Sequence, residues 1–518
     1  MPTEQVIVVG AGIGGLVAAV LLSARGAAVT LVERSAGPGG KMRQADVAGR
    51  RIDVGPTVLT MRHVFEEIFD AAGASLSDYV TLRPTEILAR HAWSANERLD
   101  LFTDIERSAD AIGAFAGAAE ANGYRAFCDR AQRIYDSLDL TFIRAQRPSL
   151  NTLVASFGLR RLGDLWQISP FISLWKTLGE HFRDPRLRQL FGRYATYCGS
   201  SPFMAPATLM LVAHVEREGV WLVDGGMYRL AQALATLATR AGATLRYRSE
   251  AREVIVDGGR VAGVTLANGE RINATAVLVN ADTAAISSGQ FGHAVADLVP
   301  ATPRAARSLS AVTWAMVTPA RGFPLVRHNV FFSGDYAGEF EQLRRGRLPA
   351  EPTVYVCAQD RTDVGKKSDA DCTAAALPES LFCLVNAPPN GDVRNIGTSE
   401  FKRCEERTFA LLERCGLRVD RRSENTGMTT PRDFERLYPG TGGALYGPAS
   451  HGWMASFRRA GSRTRMPGLY LAGGSAHPGP GVPMAALSGR SAAEAVMADF
   501  ASMRRFRAAT MFGGISTR

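Results

Sequence analysis

Residues 5–15 read QVIVVGAGIGG, and the fold turns on them. Gln5 to Val9 is a short β-branched apolar run, the pattern of a parallel strand buried on both faces. Gly10, Gly12 and Gly15 then fill the G-x-G-x-x-G positions, with Gly14 inside the same turn. Gly10 makes the tight turn, Gly12 lets a pyrophosphate approach the backbone, and Gly15 lets helix and strand pack closely. Leu16 to Arg25 reads as a helix whose N-terminus faces the phosphates, and Gly26 ends it. Ala28 to Val32 is the second strand, closed by Glu33, about 20 residues past the glycines, where a carboxylate accepts from ribose hydroxyls. Strand, turn, helix, strand and acid in this order predict a dinucleotide fold of the α/β class, and a surface glycine turn would explain only the glycines.

The chain continues through Arg34 to Gly39-Gly40-Lys41-Met42-Arg43, then Asp53-Val54-Gly55-Pro56-Thr57. A nicotinamide dehydrogenase does not need this extension. Large flavoproteins wrap the pyrophosphate and ribityl chain with a second glycine pair, so the pattern points to FAD. Gly10, Gly12, Gly14, Gly15, Glu33, Arg34, Gly40, Lys41, Met42, Gly55, Pro56 and Thr57 are the expected cofactor contacts from this end. Lys41 and Arg43 either neutralise phosphate charge or are exposed loop cations.

Far along the chain, Ala274 to Asp282 reads as another central strand. Thr244 to Tyr247, Arg252 to Val256 and Val261 to Leu266 read as a β-meander ahead of it. In flavoproteins of the two-dinucleotide type, the strand that holds Val254 lends backbone groups to adenine. Gly468 to Ala472 is a last apolar strand, followed by Gly473, Gly474 and a loop to Val482-Pro483. A helix over Met484 to Met497 follows, so Gly473, Gly474, Val482 and Pro483 are the expected contacts at the electron-rich end of a reduced flavin. Both ends of the chain converge on one FAD, and the middle is an insertion. The expected plan is a Rossmann-like FAD domain in discontinuous segments (1–85, 221–290 and 441–500) with α+β substrate and membrane-facing parts at 86–220 and 291–440. A basic tail covers 501–518.

The N-terminal VVGAGIGGL, Arg193 to Leu209 (RYATYCGSSPFMAPATL), Trp221 to Met227 (WLVDGGM), His328 to Phe332 (HNVFF) and Leu469 to Pro483 (LYLAGGSAHPGPGVP) resemble bacterial carotenoid desaturases over nearly the whole length. GGKMR, and Thr430 to Gly447 (TPRDFERLYPGTGGALYG), resemble the 1-hydroxycarotenoid 3,4-desaturase branch. The resemblance implies FAD as redox cofactor, an acyclic C40 carotenoid as substrate, and peripheral work on the cytoplasmic side of the inner membrane. Phytoene or squalene-type desaturation is the neighbouring reading, and a non-catalytic flavin-binding scaffold the reading from another class. Many flavoproteins carry Gly-Asp where this chain has Gly474-Ser475, a departure that carotenoid desaturases share.

Forming a carbon–carbon double bond removes a hydride and a proton, and the flavin carries the difficult part. His477, in the loop beside the expected flavin ring, is the candidate base; the competing role is to hold the glycine loop. Tyr194, Tyr197 and Trp221 either line a polyene channel or are ordinary core, and Asp224 is either a cap or a cofactor contact. Amine oxidases with a related flavin fold use a Lys near the flavin, and residues 281–350 contain no Lys. The eight His show no metal-ligand spacing, and the seven Cys form no C-x-x-C pair. The electron acceptor is oxygen or a membrane quinone, between which the residues do not choose.

Net charge is +10, almost all of it Arg, yet no nucleic-acid module accompanies it. The N-terminus runs straight into a strand, which predicts no targeting segment, and no apolar run reaches the roughly 20 residues of a membrane span. Leu162 to Phe182, rich in aromatics and leucines, is either an interfacial segment or an internal helix pair. Ser502 to Met511 alternates Arg with Met and Phe, as a lipid contact or a frayed basic end.

Overall fold

The computed structural model describes residues 4–146, 171–361, 377–393 and 396–512. The strand Gln5–Val9 sits at the centre of a five-stranded sheet, ordered Leu469–Leu471, Ala276–Val279, Gln5–Val9, Ala28–Val32, Thr244–Arg246. Every pairing is parallel, with Val9 facing Val279 on one side and Val32 on the other. Strands this far apart in sequence make one sheet because each is apolar on both faces and needs cover above and below. The helix Ile13–Ala24 supplies part of that cover, and Ile13 to Ser23 are all buried. It has no polar face because the helices Tyr228–Arg240 and Val482–Phe512 pack around it.

Two expectations shift. Thr244–Arg246 does not open a meander; it is the edge of the parallel sheet. Arg248, at φ 52, turns the chain away, and the Ser249 amide donates to the Glu33 carbonyl. The antiparallel sheet that follows consists of Ala251–Asp257, Arg260–Leu266 and Arg271–Asn273. The last helix also runs past the expected Met497 to Phe512, so most of the basic tail is helical, and Arg504 pairs with Glu4 at 3.0 Å. Residues 513–518 lie outside the described residues.

A seven-stranded sheet forms the second layer, ordered Thr426–Thr429, Ser310–Thr318, Glu379–Ala387, Val354–Ala358, His328–Phe331, Ile87–Ala92, Arg98–Phe102. Strands from the two segments 86–220 and 291–440 therefore share one sheet, joined by the parallel pairing of Asn329 to Phe331 with Arg90 to Ala92. All nine residues of Ser310–Thr318 are buried. Trp314 packs on Phe409 of the helix Thr398–Arg414 on one face, and Ala315 and Val317 pack on Val47 and Ile52 on the other. Helices Ala118–Leu138, Leu174–His181, Pro185–Gly192 and Leu211–Arg217 form a cap whose core includes Phe127, Phe182 and Phe191. Leu174 and Leu178 of the 162–182 stretch belong to this core, whereas Phe171 is 73% exposed. Residues 162–170 lie outside the described residues. No helix among the described residues is long and apolar enough to cross a membrane.

Candidate functional site

One cavity of about 1030 Å³ runs between the layers, from Gly10, Gly12 and Glu33 to Tyr336 and Phe382. Its first part is shaped by missing side chains. A Cβ on Gly12 would meet Asn280 Nδ2 at 2.8 Å, and one on Gly14 would meet the Ala485 carbonyl at 2.9 Å. Gly15 faces the Gly10 carbonyl so closely that any Cβ would collide with backbone. Gly12 is bridged to Gly39, whose amide donates to the Ala11 carbonyl at 2.8 Å, so the second glycine pair lies directly against the first. Gly40, Met42, Gly55, Pro56 and Thr57 continue the wall.

Glu33 is buried and accepts from the amides of Ala11 and Ser35, both at 2.7 Å, which aims its carboxylate along the cavity edge. Arg34 lines the cavity and donates to the Arg436 carbonyl at 2.7 Å. Lys41 is no exposed loop cation. Its Nζ donates to the Leu445 carbonyl at 2.6 Å and lies 5.3 Å from the Tyr438 ring centroid. Burial pushes its pKa down, partly opposed by the Asp282 carboxylate. Arg43 keeps a buried Nη2 with no partner on the same wall, an orphan donor that suits an anionic or carbonyl-bearing ligand. A glycine-walled cradle at a helix N-terminus, a carboxylate at the strand end and a guanidinium nitrogen without a partner together fit a flavin dinucleotide.

Val254 takes no part in this wall. Its amide donates to the Phe291 carbonyl at 3.0 Å, while Ser249, Glu250, Ala251 and Arg252 line the cavity. The misplacement follows from the strand, which starts at Ala251 and leaves the cavity as it pairs with Arg260–Leu266. Asp224 is no cofactor contact either; it accepts from Arg83 at 2.7 Å. Asp53, given no role from the sequence, accepts from the Met227 amide at 2.5 Å and so fixes the glycine turn there. Burial raises its pKa.

At the C-terminal end, Gly473, Gly474, Val482 and Pro483 line the cavity, and Ser475 does too. Ser475 Oγ accepts from the buried Thr283 amide at 2.9 Å, so the residue that replaces the usual Asp ties the loop to the strand Ala276–Val279 and the turn after it. Arg459 is buried behind the loop and donates to the carbonyls of Pro448 at 2.7 Å and Gly474 at 3.2 Å. Asn280 donates to the Gly10 carbonyl at 3.3 Å. Neither role carries a local sequence signal.

His477 is absent from the cavity wall. It is 3% exposed, packs edge-on against Phe142 at 5.0 Å, and its amide donates to the Ala460 carbonyl. Its ring nitrogens face the backbone of Phe142 and Ala145 without closing a hydrogen bond, and burial pushes its pKa down to about 4. The geometry gives the candidate base no face on the cavity, and its backbone amide anchors the loop. Trp221 also leaves the channel, lying under Arg62 at 4.6 Å, and Tyr194 is buried behind the wall, whereas Tyr197 lines it.

Beyond the cradle the same cavity forms a chamber whose lining includes Val330, Tyr355, Phe382 and Leu384. Leu138, Phe142, Leu209, Val212 and Phe457 make its apolar side. Trp453 lines the rim, is 39% exposed, and packs on exposed Phe171 at 5.1 Å. Among the described residues no group of three or more His, Cys, Asp or Glu is arranged to hold a metal.

A dinucleotide cradle that opens into an apolar chamber defines a flavin-dependent oxidoreductase. The family described as Flavin containing amine oxidoreductase matches residues 13–497, and the chain belongs to it as an FAD-dependent enzyme of the carotenoid desaturase group. It is 55% identical to the hydroxyneurosporene desaturase of Rubrivivax gelatinosus, over 100% of this chain and 97% of that protein. It is 31% identical to the zeta-carotene-forming phytoene desaturase of Myxococcus xanthus, over 95% of this chain and 94% of that one. Putrescine oxidase bound to putrescine shares the fold, with TM-score 0.58 and 16% identity over 96% of this chain and all of that one.

Proposed function

We propose that the chain introduces the C3–C4 double bond into 1-hydroxylated acyclic carotenoids. The carrying observation is the single cavity that joins the glycine cradle to a chamber walled by Phe142, Leu209, Val212, Phe382 and Phe457. Such a wall suits a polyene and offers little to a soluble amine. The 55% identity to a hydroxyneurosporene desaturase supports the hydroxylated substrate.

FAD, when bound, supplies a two-electron hydride acceptor. The chain's residues position the carbons and exclude water. The apolar wall removes hydration from the polyene, which stays in the chamber by the hydrophobic effect. Arg459 and Ser475 hold the loop that carries Gly473 and Gly474, and His477 stays neutral behind it. Phe171, Trp453, Leu140 and Met204 are exposed on the described surface, and with Trp453 at the rim they dip into the bilayer that stores the substrate. The discontinuous FAD domain and the two inserted segments act as holder and chamber.

The test is a paired incubation of FAD-loaded protein with liposomes, in air and with a quinone. One arm receives 1-hydroxyneurosporene and the other phytoene, and products are read by chromatography and absorbance. The hydroxylated carotenoid alone is expected to gain a conjugated bond. Consumption of phytoene instead would overturn the assignment, and failure of both arms under both acceptors would favour a scaffold.

A further inference from the structure

The chamber contains a charged group that an apolar substrate would not need. Arg193 begins the short 3-10 turn Arg193–Cys198, just after the helix Pro185–Gly192, and is only 6% exposed. Its Nη1 donates to Tyr197 Oη at 2.6 Å. Tyr197 donates to Glu216 Oε1 at 2.8 Å, and Tyr194 donates to Glu216 Oε2 at 2.5 Å. The guanidinium lies 4.9 Å from the Tyr197 ring centroid. Glu216 is 3% exposed, so a buried cation and a buried anion are joined through a tyrosine. Arg193, Tyr197 and Glu216 all line the cavity.

This network satisfies Glu216 but leaves Arg193 incomplete, because its Nε and Nη2 are buried with no partner among the described residues. A buried charged donor left unpaired is costly, and each native case calls for a reason. The groups around it do not fill the need. His91 Nε2, His328 Nε2 and Tyr336 Oη are also buried and unpartnered. Arg193 contributes, after burial, to holding both histidines neutral. The only cation among these unpartnered groups is Arg193, with two spare donor nitrogens.

We infer that Arg193 is the specificity residue of the chamber, donating from its free guanidinium nitrogens to the oxygen at C1 of the carotenoid, whether a tertiary alcohol or its ether. Arginine is an all-donor group, and alcohol and ether oxygens both accept, so one residue reads either form. Location fits as well. An oxygen on C1 lies roughly 3–4 Å from C3, given carbon–carbon bonds of about 1.5 Å. Its binding group must then stand beside the reacting carbons, not at the far end of the tunnel. Tyr355 in the chamber wall meets Thr57 of the cradle at 2.7 Å and His328 at 2.7 Å. Arg193 lines the same cavity as Tyr355 and Thr57. This inference rests on the proposed reading of the substrate.

Arg193→Met removes the charge while keeping an unbranched side chain, and Arg193→Lys keeps a cation as a point donor. Both would be compared with wild type for FAD content, for equilibrium binding of 1-hydroxyneurosporene and neurosporene by the carotenoid absorbance shift, and for kcat/KM on each. Wild type is expected to bind the hydroxylated compound more tightly. The Met variant should retain FAD, lose roughly 10- to 100-fold in binding and kcat/KM for 1-hydroxyneurosporene, and change for neurosporene by no more than about threefold. The Lys variant should recover part of the preference, which also serves if the Met variant does not fold. Equal losses on both carotenoids, or loss of FAD, would overturn the inference and assign Arg193 to the scaffold or the cofactor. Binding is read without turnover. A wild type that binds the hydroxylated compound through Arg193 but does not desaturate it would therefore sink the proposed reaction and uphold this site. A wild type that binds both equally would sink the site, whatever the reaction.

Discussion

The two halves of the cavity are made by opposite means. The cradle is made by removing atoms: Gly12, Gly14, Gly15 and Gly40 face neighbours that leave no room for a Cβ or only a tight one. The chamber is made by adding them: aromatic and aliphatic side chains form much of the wall, and a buried Arg193–Tyr197–Glu216 network interrupts it. A ligand held by backbone needs local sequence spacing, because amides of neighbouring residues must point the same way. A ligand held by side chains needs only that distant residues meet. The cradle is thus a general device and the chamber a specific one, and substitutions in the two should fail differently.

The sharpest break is expected at Gly15→Val. The new side chain would run into the Gly10 carbonyl, so the turn and the helix Ile13–Ala24 cannot both keep their places. FAD affinity should fall more than roughly 100-fold, a loss equal to about 3 kcal/mol of binding. Flavin absorbance of the purified variant reads this directly, and stoichiometric FAD would refute the steric account of the cradle.

His477 comes next, because it separates loop-holding from proton transfer. Its pKa in the folded protein, about 4, lies below the ordinary 6.5. Between those values the unfolded chain binds the extra proton, so stability rises with pH across the window and is lost on acidification from about 6.5 toward 4. The full effect is up to roughly 3 kcal/mol. Denaturant titrations from pH 4 to 7 should show a slope that His477→Phe reduces. A limb near pH 6.5 in kcat that vanishes in this variant, with no change in stability, would return His477 to the role of base.

A smaller effect is expected at Asn280→Ala. The substitution removes the donor to the Gly10 carbonyl, a bond worth about 1 kcal/mol, and leaves space beside Gly12 and Gly14. FAD binding, read by fluorescence titration, should weaken by about tenfold or less, with the wild-type preference for hydroxylated carotenoid unchanged. A changed preference would mean that cradle and chamber are not separable.

This division also explains what could be read in the residues alone. The cradle was legible from Gln5 to Glu33, because its strand, turn and acid are adjacent and each type is forced. The second glycine pair and the loop at Gly473-Gly474 were legible for the same reason. Val254 failed because a meander gives no mark of the residue at which it leaves a ligand; the cavity touches Ala251 and Arg252 instead. For His477 the place in the loop was visible and the direction of the ring was not: it turns toward Phe142. Arg193 and Glu216 lie 23 residues apart on different elements, and neither residue type nor spacing marks them as partners. They meet only because the cap helices fold over the sheet. Arg43 was suspected as a phosphate partner, but nothing local distinguished it from Lys41, whose ammonium gives one of its three donors to the Leu445 carbonyl.

Ser475 tests the boundary between the two devices with the smallest expected change. It lines the cavity, yet its hydroxyl is committed to the Thr283 amide at 2.9 Å. The neighbouring Asp282 keeps a buried Oδ2 without a partner and also lines the cavity, so a carboxylate oxygen reaches this part of the wall from the strand side. A serine at 475 is then sufficient, because it has only to join the loop to the strand end. Ser475→Ala should leave the Thr283 amide unpaired and cost about 1 kcal/mol, read by thermal denaturation of the FAD-loaded protein. FAD affinity should change only a few fold, and Ser475→Thr, which keeps the hydroxyl, should lose less than the alanine variant. If Ser475→Ala abolished FAD binding without lowering stability, the hydroxyl would belong to the cofactor, and the loop would be held by Arg459, the Gly473 amide bond to Ser488 and the His477 amide bond to Ala460.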